Sequence, residues 1–177
     1  PLQPFPLRGV IWYQGEANAG SVAQAMAYRR QFPAMIQQWR AQWDAPELPF
    51  LWVQLASYRT GDDQGDTSPW AVMRESQGAT LALPATGQAV AIDIGDPDDI
   101  HPRNKQDVGK RLALAARRVA YGEDGVDAGP VFEQARFEDG AAYLRFAGNG
   151  LAVRGGGALQ GFRLAGADRV FHPAMAS

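Results

Sequence analysis

Three runs of mainly apolar residues, each followed by a segment with helical spacing, constrain the fold of this chain most strongly. The runs are VIWY at 10–13, LPFLWVQLA at 48–56 and QAVAIDIGD at 88–96. Apolar runs without polar alternation are typical of strands buried on both faces of a parallel sheet. Because strands and helices alternate along the chain, we predict an α/β fold for residues 1–122, with a parallel sheet flanked by helices.

The segments between and after these runs predict three helices. Apolar residues recur at helical spacing over 22–43, and Pro33 is expected to kink or split this first helix. A second helix is predicted over 69–83 and a third over 104–121. The loop at 58–69 is long, polar and rich in glycine, and loops of this kind in compact domains are often functional.

The pattern changes after Gly122. Polar and apolar residues alternate around Asp139-Gly140, which predicts a hairpin, and further short strands with many glycines follow. We place a boundary within 123–129 and expect residues 129–177 to form an incomplete all-β module. The opening PLQPFPLRG lacks an initiator Met and leads directly into a core strand. We therefore expect an internal piece of a longer protein, with an α/β domain that is incomplete at its N-terminus.

Composition excludes several classes of function. The net charge is -2 and no basic run is present, so we expect no nucleic-acid partner. No apolar stretch reaches the roughly 18 residues of a membrane span, so we expect no membrane partner. The chain has no cysteine, which excludes a thiolate nucleophile and a disulfide framework, and its two histidines are far apart in sequence. Neither a metal nor another cofactor is therefore expected, and the oligomeric state stays open.

Polar residues follow the ends of the predicted strands. Gln14, Gly15 and Glu16 come directly after the first strand, and GDPDDIHP at 95–102 follows the third. In an open parallel sheet, ligands bind beyond the carboxyl ends of the strands, so both segments are candidates for one site. A strand-end turn without a function explains the Gln14–Glu16 segment equally well.

His101 and Asp98 form the candidate catalytic pair. An Asp three residues before a His can curl back within one turn, accept the imidazole N–H and leave the other nitrogen available as a base. Asp99 is a competing carboxylate with a less natural geometry, and a His beside a Pro is also typical of a simple turn. Arg74 is either half of a solvated pair with Glu75 or a structural anchor for a neighbouring loop carboxylate.

Four blocks of this chain together resemble one known family. They are RGVIWYQGEANAG, MIQQWRAQW with LPFLWVQLASY, WAVMRESQ, and AIDIGDPDDIHPRNKQDVGKRLALAARRVAYG. In combination these blocks resemble the sialate O-acetylesterases, a group of carbohydrate esterases within the SGNH hydrolases. The resemblance covers residues 1–122, and it implies the C-terminal part of a flavodoxin-like, three-layer esterase domain. The later segment GGGALQGFRLAGADRVFHPA resembles the start of the accessory β region of the same proteins.

The resemblance implies a serine esterase. It assigns His101 as the base and Asp98 as the carboxylate that orients it, and it places Gln14, Gly15 and Glu16 at the oxyanion side of the site. The implied substrate is an O-acetylated sialic acid, and the implied location is secreted or periplasmic. Two alternatives stay open: an esterase for acetylated xylan or other plant polysaccharides, and a carbohydrate-binding fragment without catalysis.

One departure from the family pattern concerns the nucleophile. In the family, the reactive serine lies in a G-Q-S-N-M-like block upstream of W-Y-Q-G-E, and no such block occurs here. The serines of this chain have the context of helix caps, loops or helix interiors, namely Ser21, Ser57, Ser68, Ser76 and Ser177. We therefore expect this fragment to lack the nucleophile and to be inactive alone.

Overall fold

The computed structural model describes residues 5–59, 68–147, 151–153 and 155–177. The chain divides into two compact units, Pro1–Ala128 and Gly129–Ser177. Most of the loop that was predicted to be functional, residues 60–67, lies outside the described residues.

The first unit contains a parallel sheet of three strands, as the apolar runs predicted. The strands are β1 (Val10–Trp12), β2 (Phe50–Val53) and β3 (Thr86–Ala89), in the order β1-β2-β3. The central strand β2 is buried at every residue. Both neighbours run parallel to it, so the carboxyl ends of all three strands lie at one edge of the sheet.

The predicted third strand is too long at its C-terminal end. β3 ends at Ala89, and Ile92–Ile94 form a short 3-10 helix instead. The side chains of Val90 and Ile92 are 39% and 43% exposed, whereas Ala91 between them is buried in the core, so only part of this apolar run is covered. The Val90 carbonyl accepts a hydrogen bond from Arg111, 2.6 Å away, rather than from a neighbouring strand.

Three helices accompany the sheet: α1 (Val22–Gln42), α2 (Pro69–Ala79) and α3 (Lys105–Tyr121). Of the two expected effects of Pro33, a split of the first helix is wrong, because α1 is a single helix with Pro33 inside it, and a kink stays a prediction. Proline removes one helical hydrogen bond, and the buried side chains of Phe32 and Ile36 on either side of it keep this stretch packed on the core. Each helix begins after a residue whose side chain accepts a backbone N–H, namely Ser21, Ser68 and Asn104.

The helices cover both faces of the sheet, which confirms the predicted layered α/β fold. Phe50 and Trp52 point toward the cluster formed with α1 and α2, and the Phe32 ring lies 6.0 and 5.2 Å from their rings. Val53 points to the opposite face, where it packs with Val108 of α3. Short 3-10 turns at Glu16–Asn18 and Thr80–Ala82 complete this unit. In the parts of the chain that the structure describes, every helix is too short or too polar to span a bilayer.

The second unit contains two antiparallel hairpins. The first pairs β4 (Val131–Glu138) with β5 (Ala141–Ala147), and the second pairs β6 (Arg163–Ala165) with β7 (Phe171–Pro173). Asp139 and Gly140 connect β4 to β5 with φ angles of 50° and 75°. Positive φ at both central residues is the requirement of a tight hairpin turn, so the predicted hairpin is confirmed.

Candidate active site

The loops that follow β2 and β3 are packed directly against each other at the carboxyl edge of the sheet. The Ser57 hydroxyl donates to the Ile92 carbonyl, 2.5 Å away, and the Arg59 N–H donates to the Pro97 carbonyl over 3.0 Å. Gly95 lies against the backbone of Ser57, where an added Cβ would stand 2.4 Å from its nitrogen. Only glycine permits this approach, so Gly95 fixes the start of the segment that leads to His101.

A buried amide on α2 connects the ends of β1 and β2. Gln77 is fully buried, and its Nε2 donates to the Gln14 carbonyl over 3.1 Å. Its Oε1 accepts the Leu55 N–H over 3.0 Å. The Gln77 side chain is thus the hydrogen-bond partner of two backbone groups that lie just beyond the ends of β1 and β2. These bonds fix the position of the Gln14 backbone.

The Gln14 side chain belongs to a chain of hydrogen bonds. The Tyr28 hydroxyl donates to Gln14 Oε1 over 3.0 Å, and Gln14 Nε2 donates to Asn18 Oδ1 over 2.9 Å. Trp12 Nε1 donates to the Tyr28 oxygen over 3.4 Å. An amide nitrogen carries two hydrogens and Asn18 accepts one of them, so the arrangement can offer a directed N–H donor.

Gly15 allows this turn to pack on α2. Its φ of 151° favours glycine, and an added Cβ would stand 2.7 Å from Met73 Cε and 3.1 Å from Gln77 Nε2. A larger residue would therefore be strained and would push the turn away from the helix. The W-Y-Q-G-E block needs glycine at this position for a structural reason that the sequence alone did not reveal.

The charge of Glu16 acts on the tyrosines beside it. Burial, and secondarily the Glu16 carboxylate, raise the pKa of the Tyr13 hydroxyl. Burial raises the pKa of Tyr28 to about 12, and Glu16 adds to this effect. Both hydroxyls therefore stay protonated at neutral pH. Lys105, at the start of α3, lies with its Nζ 5.0 Å from the centre of the Tyr13 ring, in cation–π range.

His101 lies in an exposed turn with Asp99 as its neighbour. Asp99 Oδ1 accepts the His101 backbone N–H over 2.8 Å and stands 3.5 Å from Nδ1, and the imidazole is 85% exposed. The hydrogen bond from the His101 backbone lowers the pKa of the Asp99 carboxyl. The Asp98 N–H donates to Asp96 Oδ1 over 3.0 Å. The carboxylate beside the imidazole here is thus Asp99, and the role of Asp98 stays a prediction.

The segment that carries His101 is held at both ends by α3. The Arg111 guanidinium donates to both carboxylate oxygens of Asp93, over 2.5 and 2.7 Å. This pairing raises the pKa of the Arg111 guanidinium. At the other end, Asn104 Oδ1 accepts the Asp107 N–H over 3.1 Å, and its amide donates back to the Asp107 carboxylate over 2.9 Å. A two-point pair between a guanidinium and a carboxylate is a strong charge-assisted contact, and the Asn104 side chain caps the first turn of α3, so the two contacts fix the two ends of the loop.

Comparison with known proteins identifies the family of this chain. A family model for carbohydrate esterases, described as sialic acid-specific acetylesterase, matches residues 2–118. The chain belongs to this family. Mouse sialate O-acetylesterase is 40% identical to it, in a match that covers 70% of this chain and 25% of the mouse protein. The human sialate O-acetylesterase is 38% identical, with 70% and 26% covered. The resemblance of the four sequence blocks is thereby confirmed.

One solved structure, of a carbohydrate acetylesterase, matches this chain over its whole length. A carbohydrate acetylesterase from Xanthomonas citri is 65% identical to it with a TM-score of 0.92. The match covers 100% of this chain and 41% of the Xanthomonas chain. This acetylesterase-family chain thus spans about a quarter of its mammalian relatives and less than half of the bacterial one.

Arg74 of this acetylesterase-family chain lies half-buried on α2. Its carbonyl accepts a hydrogen bond from Gln54 Nε2 over 3.2 Å. Glu75, the proposed partner in a solvated pair, forms an ion pair with Arg29 of α1 over 3.2 Å. Exposed ion pairs of this kind contribute about 0–1 kcal/mol, so this one adds little to the α1–α2 packing. The role of Arg74 as an anchor stays a prediction.

The serines of the first unit have local structural positions. Ser21 and Ser68 cap α1 and α2, Ser57 donates to the Ile92 carbonyl, and Ser76 is 1% exposed within α2. A nucleophile needs a base within hydrogen-bond reach, whereas the hydroxyls of Ser21, Ser57 and Ser68 bond to backbone groups or a neighbouring amide. The Ser76 hydroxyl is buried within α2 without a hydrogen-bond partner among the described residues. Within the described ranges, no group of three His, Cys, Asp or Glu side chains comes together to hold a metal ion.

Proposed function

We propose that this chain is the part of a carbohydrate O-acetylesterase that supplies the general base and the oxyanion wall, and that the substrate is an O-acetylated sialic acid. One observation supports this proposal above the others. The Gln14–Glu16 turn and the loop of His101 both follow carboxyl ends of the same parallel sheet, in a chain of the acetylesterase family. The mammalian relatives, which are sialate O-acetylesterases, support the choice of sugar.

In the proposed reaction, a serine oxygen attacks the acetyl carbonyl while His101 takes the hydroxyl proton. The carbonyl oxygen becomes an oxyanion, and the amide of Gln14 donates to it. The C–O bond to the sugar then breaks, and His101 returns the proton to the sugar oxygen. His101 then takes a proton from water, the hydroxide attacks the acetyl-serine, and the bond to the serine oxygen breaks to release acetic acid, which ionises to acetate, while His101 returns its proton to the serine oxygen. Asp98 holds the imidazole in the required orientation in this scheme, and Asp99 is the rival carboxylate.

We also propose that the nucleophile comes from a segment outside these 177 residues. The caps, the buried position of Ser76 and the Ser57 hydrogen bond support this view, since each serine of the first unit already has a structural position. The isolated chain should then hydrolyse no aryl acetate above background. A turnover that is lost in the His101→Ala form of the isolated chain would show that one of the five serines is a nucleophile after all.

The experiment that tests the function uses the complete enzyme, which is this chain together with the segment that carries the nucleophile. His101→Ala should lower kcat on an acetylated sialic acid by about 10²–10⁴, because a serine without its base is a poor nucleophile. His172→Ala is the matched control, since His172 is exposed on β7 in the second unit and should leave kcat unchanged. Retention of more than about a tenth of the activity in His101→Ala would overturn the assignment.

Acetylated xylan is the second candidate substrate. The Xanthomonas chain, which is 65% identical, is described only as a carbohydrate acetylesterase. Acetate release from acetylated sialic acid and from acetylated xylan should therefore be compared side by side. A higher kcat/KM for xylan would replace the proposed substrate while leaving the chemistry unchanged. Binding of either sugar without acetate release would identify a carbohydrate-binding protein instead.

A further inference from the structure

The hydrogen bonds around Gln14 run from donor to acceptor in one direction, from Trp12 through Tyr28 and Gln14 to Asn18. The indole N–H of Trp12 is a donor only, so the Tyr28 oxygen must accept in that contact. The single proton of the Tyr28 hydroxyl is then directed to Gln14 Oε1, 3.0 Å away. This places the carbonyl end of the Gln14 amide at Tyr28 and its nitrogen at Asn18 Oδ1, 2.9 Å away.

The contact between Gln14 and Asn18 cannot set this direction alone. Both side chains are amides, and if both turned over, the Asn18 nitrogen would donate to the Gln14 oxygen with the same geometry. Tyr28 removes this symmetry. In the reversed arrangement the Gln14 nitrogen would face Tyr28, and the buried hydroxyl proton would lose its acceptor, which is unfavourable.

Tyr28 is itself held firmly. Its side chain is 5% exposed and its ring packs against Phe32, with 5.1 Å between the ring centres. Because burial raises the pKa of Tyr28 to about 12, the hydroxyl remains a donor throughout the neutral and mildly alkaline range.

We propose that Tyr28 is a positioning residue for the esterase reaction: its hydroxyl holds the Gln14 amide with the N–H end available to the oxyanion. This inference rests on the proposed function, in which Gln14 is the oxyanion donor. The reversed amide would present a carbonyl oxygen to the developing negative charge, so the orientation decides whether Gln14 stabilises the transition state or opposes it.

The test is the change Tyr28→Phe in the complete enzyme, which keeps the ring and removes the hydroxyl. We expect kcat to fall about tenfold with KM within about twofold, less than the 10²–10³ loss typical of deleting an oxyanion donor. Tyr121→Phe makes the same chemical change on α3, where the residue is 60% exposed, and should leave both constants unchanged. An unchanged kcat in Tyr28→Phe, or a loss confined to KM, would overturn the inference.

A double-mutant cycle shows whether Tyr28 acts through Gln14. If it does, Tyr28→Phe should have no further effect on kcat in a Gln14→Ala background. Losses that multiply would mean that Tyr28 acts by another route and would overturn the inference. A Gln14→Ala enzyme with full activity would also overturn it, whereas the esterase assignment itself is decided separately by His101→Ala.

A second variant covers the case in which Tyr28→Phe does not fold. Asn18→Ala removes the acceptor at the other end of the Gln14 amide, from a half-buried position in a short turn. It should lower kcat severalfold in the wild-type background and leave the kcat of Gln14→Ala unchanged. Equal losses in both backgrounds would contradict an orienting network around Gln14.

Discussion

Replacement of Gln77 by leucine tests how the oxyanion side of the site is held in place. Gln77 is fully buried and makes two hydrogen bonds to backbone groups, the Leu55 N–H at 3.0 Å and the Gln14 carbonyl at 3.1 Å. Leucine fills a similar volume but offers neither bond. The change therefore isolates the polar contribution of this side chain from its packing.

The two lost bonds differ in cost. The Leu55 residue is 1% exposed, so its N–H would remain buried without a partner, at a cost of about 1–3 kcal/mol. Gln14 is only half-buried, so water can replace the bond to its carbonyl, and that loss costs about 1 kcal/mol or less. The free energy of unfolding should therefore fall by about 1–4 kcal/mol, a large fraction of the 5–15 kcal/mol typical of a domain.

Urea denaturation followed by tryptophan fluorescence measures this change in the complete enzyme, because Trp52 is buried beside the affected strands. With a slope of about 2 kcal/mol per molar urea, the midpoint should move down by about 0.5–2 M while the slope stays unchanged. Gln54→Leu is the matched control, since Gln54 is half-buried and makes one bond of 3.2 Å to a carbonyl within α2. A Gln77→Leu midpoint within error of wild type, or a larger shift in the control, would refute the reasoning.

The change Gln77→Glu makes one of the two hydrogen bonds dependent on pH and leaves the other independent of it. A glutamate oxygen still accepts the Leu55 N–H, but the other oxygen must carry a proton to bond to the Gln14 carbonyl. Folding therefore favours the neutral acid and raises its pKa. The variant should be most stable at low pH and lose stability as pH rises through the folded pKa, in contrast to Gln77→Leu. A Gln77→Glu variant whose stability does not depend on pH would contradict the assignment of the two bonds.

Three further predictions concern single positions. Gly15→Ala should destabilise the fold by about 1–3 kcal/mol in the same urea assay, because its φ of 151° and the 2.7 Å approach to Met73 are both unfavourable for alanine; an unchanged midpoint would contradict this. Asp98→Asn should lower kcat more than Asp99→Asn does; the opposite order would make Asp99 the orienting carboxylate. Because burial raises the pKa of Tyr28 from 10.0 to about 12, stability should fall by roughly 2–3 kcal/mol as pH rises over that range. The alkaline loss should be smaller in Tyr28→Phe.

The strands and helices of the first unit could be predicted because the evidence for each lies within its own stretch of sequence, in apolar runs and in helix caps. The run around Trp52 has no polar alternation, and β2 is indeed buried on both faces. The side chains that cap the helices were visible in sequence because a cap and the N–H it accepts are three residues apart. The end of β3 was misjudged because burial of an apolar run depends on what covers it, and Val90 and Ile92 stay 39% and 43% exposed.

The contacts that shape the site could not be predicted, because they join residues that are distant in sequence. Gln77 lies 63 positions from Gln14, and Tyr28 lies 14 positions from it. In sequence Gln77 is one polar residue on a helix, with no sign that it is buried. Arg40 is a similar case, since it is 5% exposed and donates to the carbonyls of Leu48, Pro84 and Ala85 at the opposite edge of the sheet.

The two sides of the proposed site are held by different physical means. The Gln14 side depends on buried hydrogen bonds from Gln77 and Tyr28, whose loss removes both position and stability. The His101 side is an exposed turn, joined to α3 by the surface ion pair of Arg111 with Asp93. The His101 imidazole is 85% exposed, and exposed contacts contribute little to the free energy of unfolding, so substitution of His101 should change the rate while leaving stability nearly unchanged. Residues on the Gln14 side therefore contribute both to the geometry of the proposed site and to the stability of the fold, whereas His101 contributes little to stability.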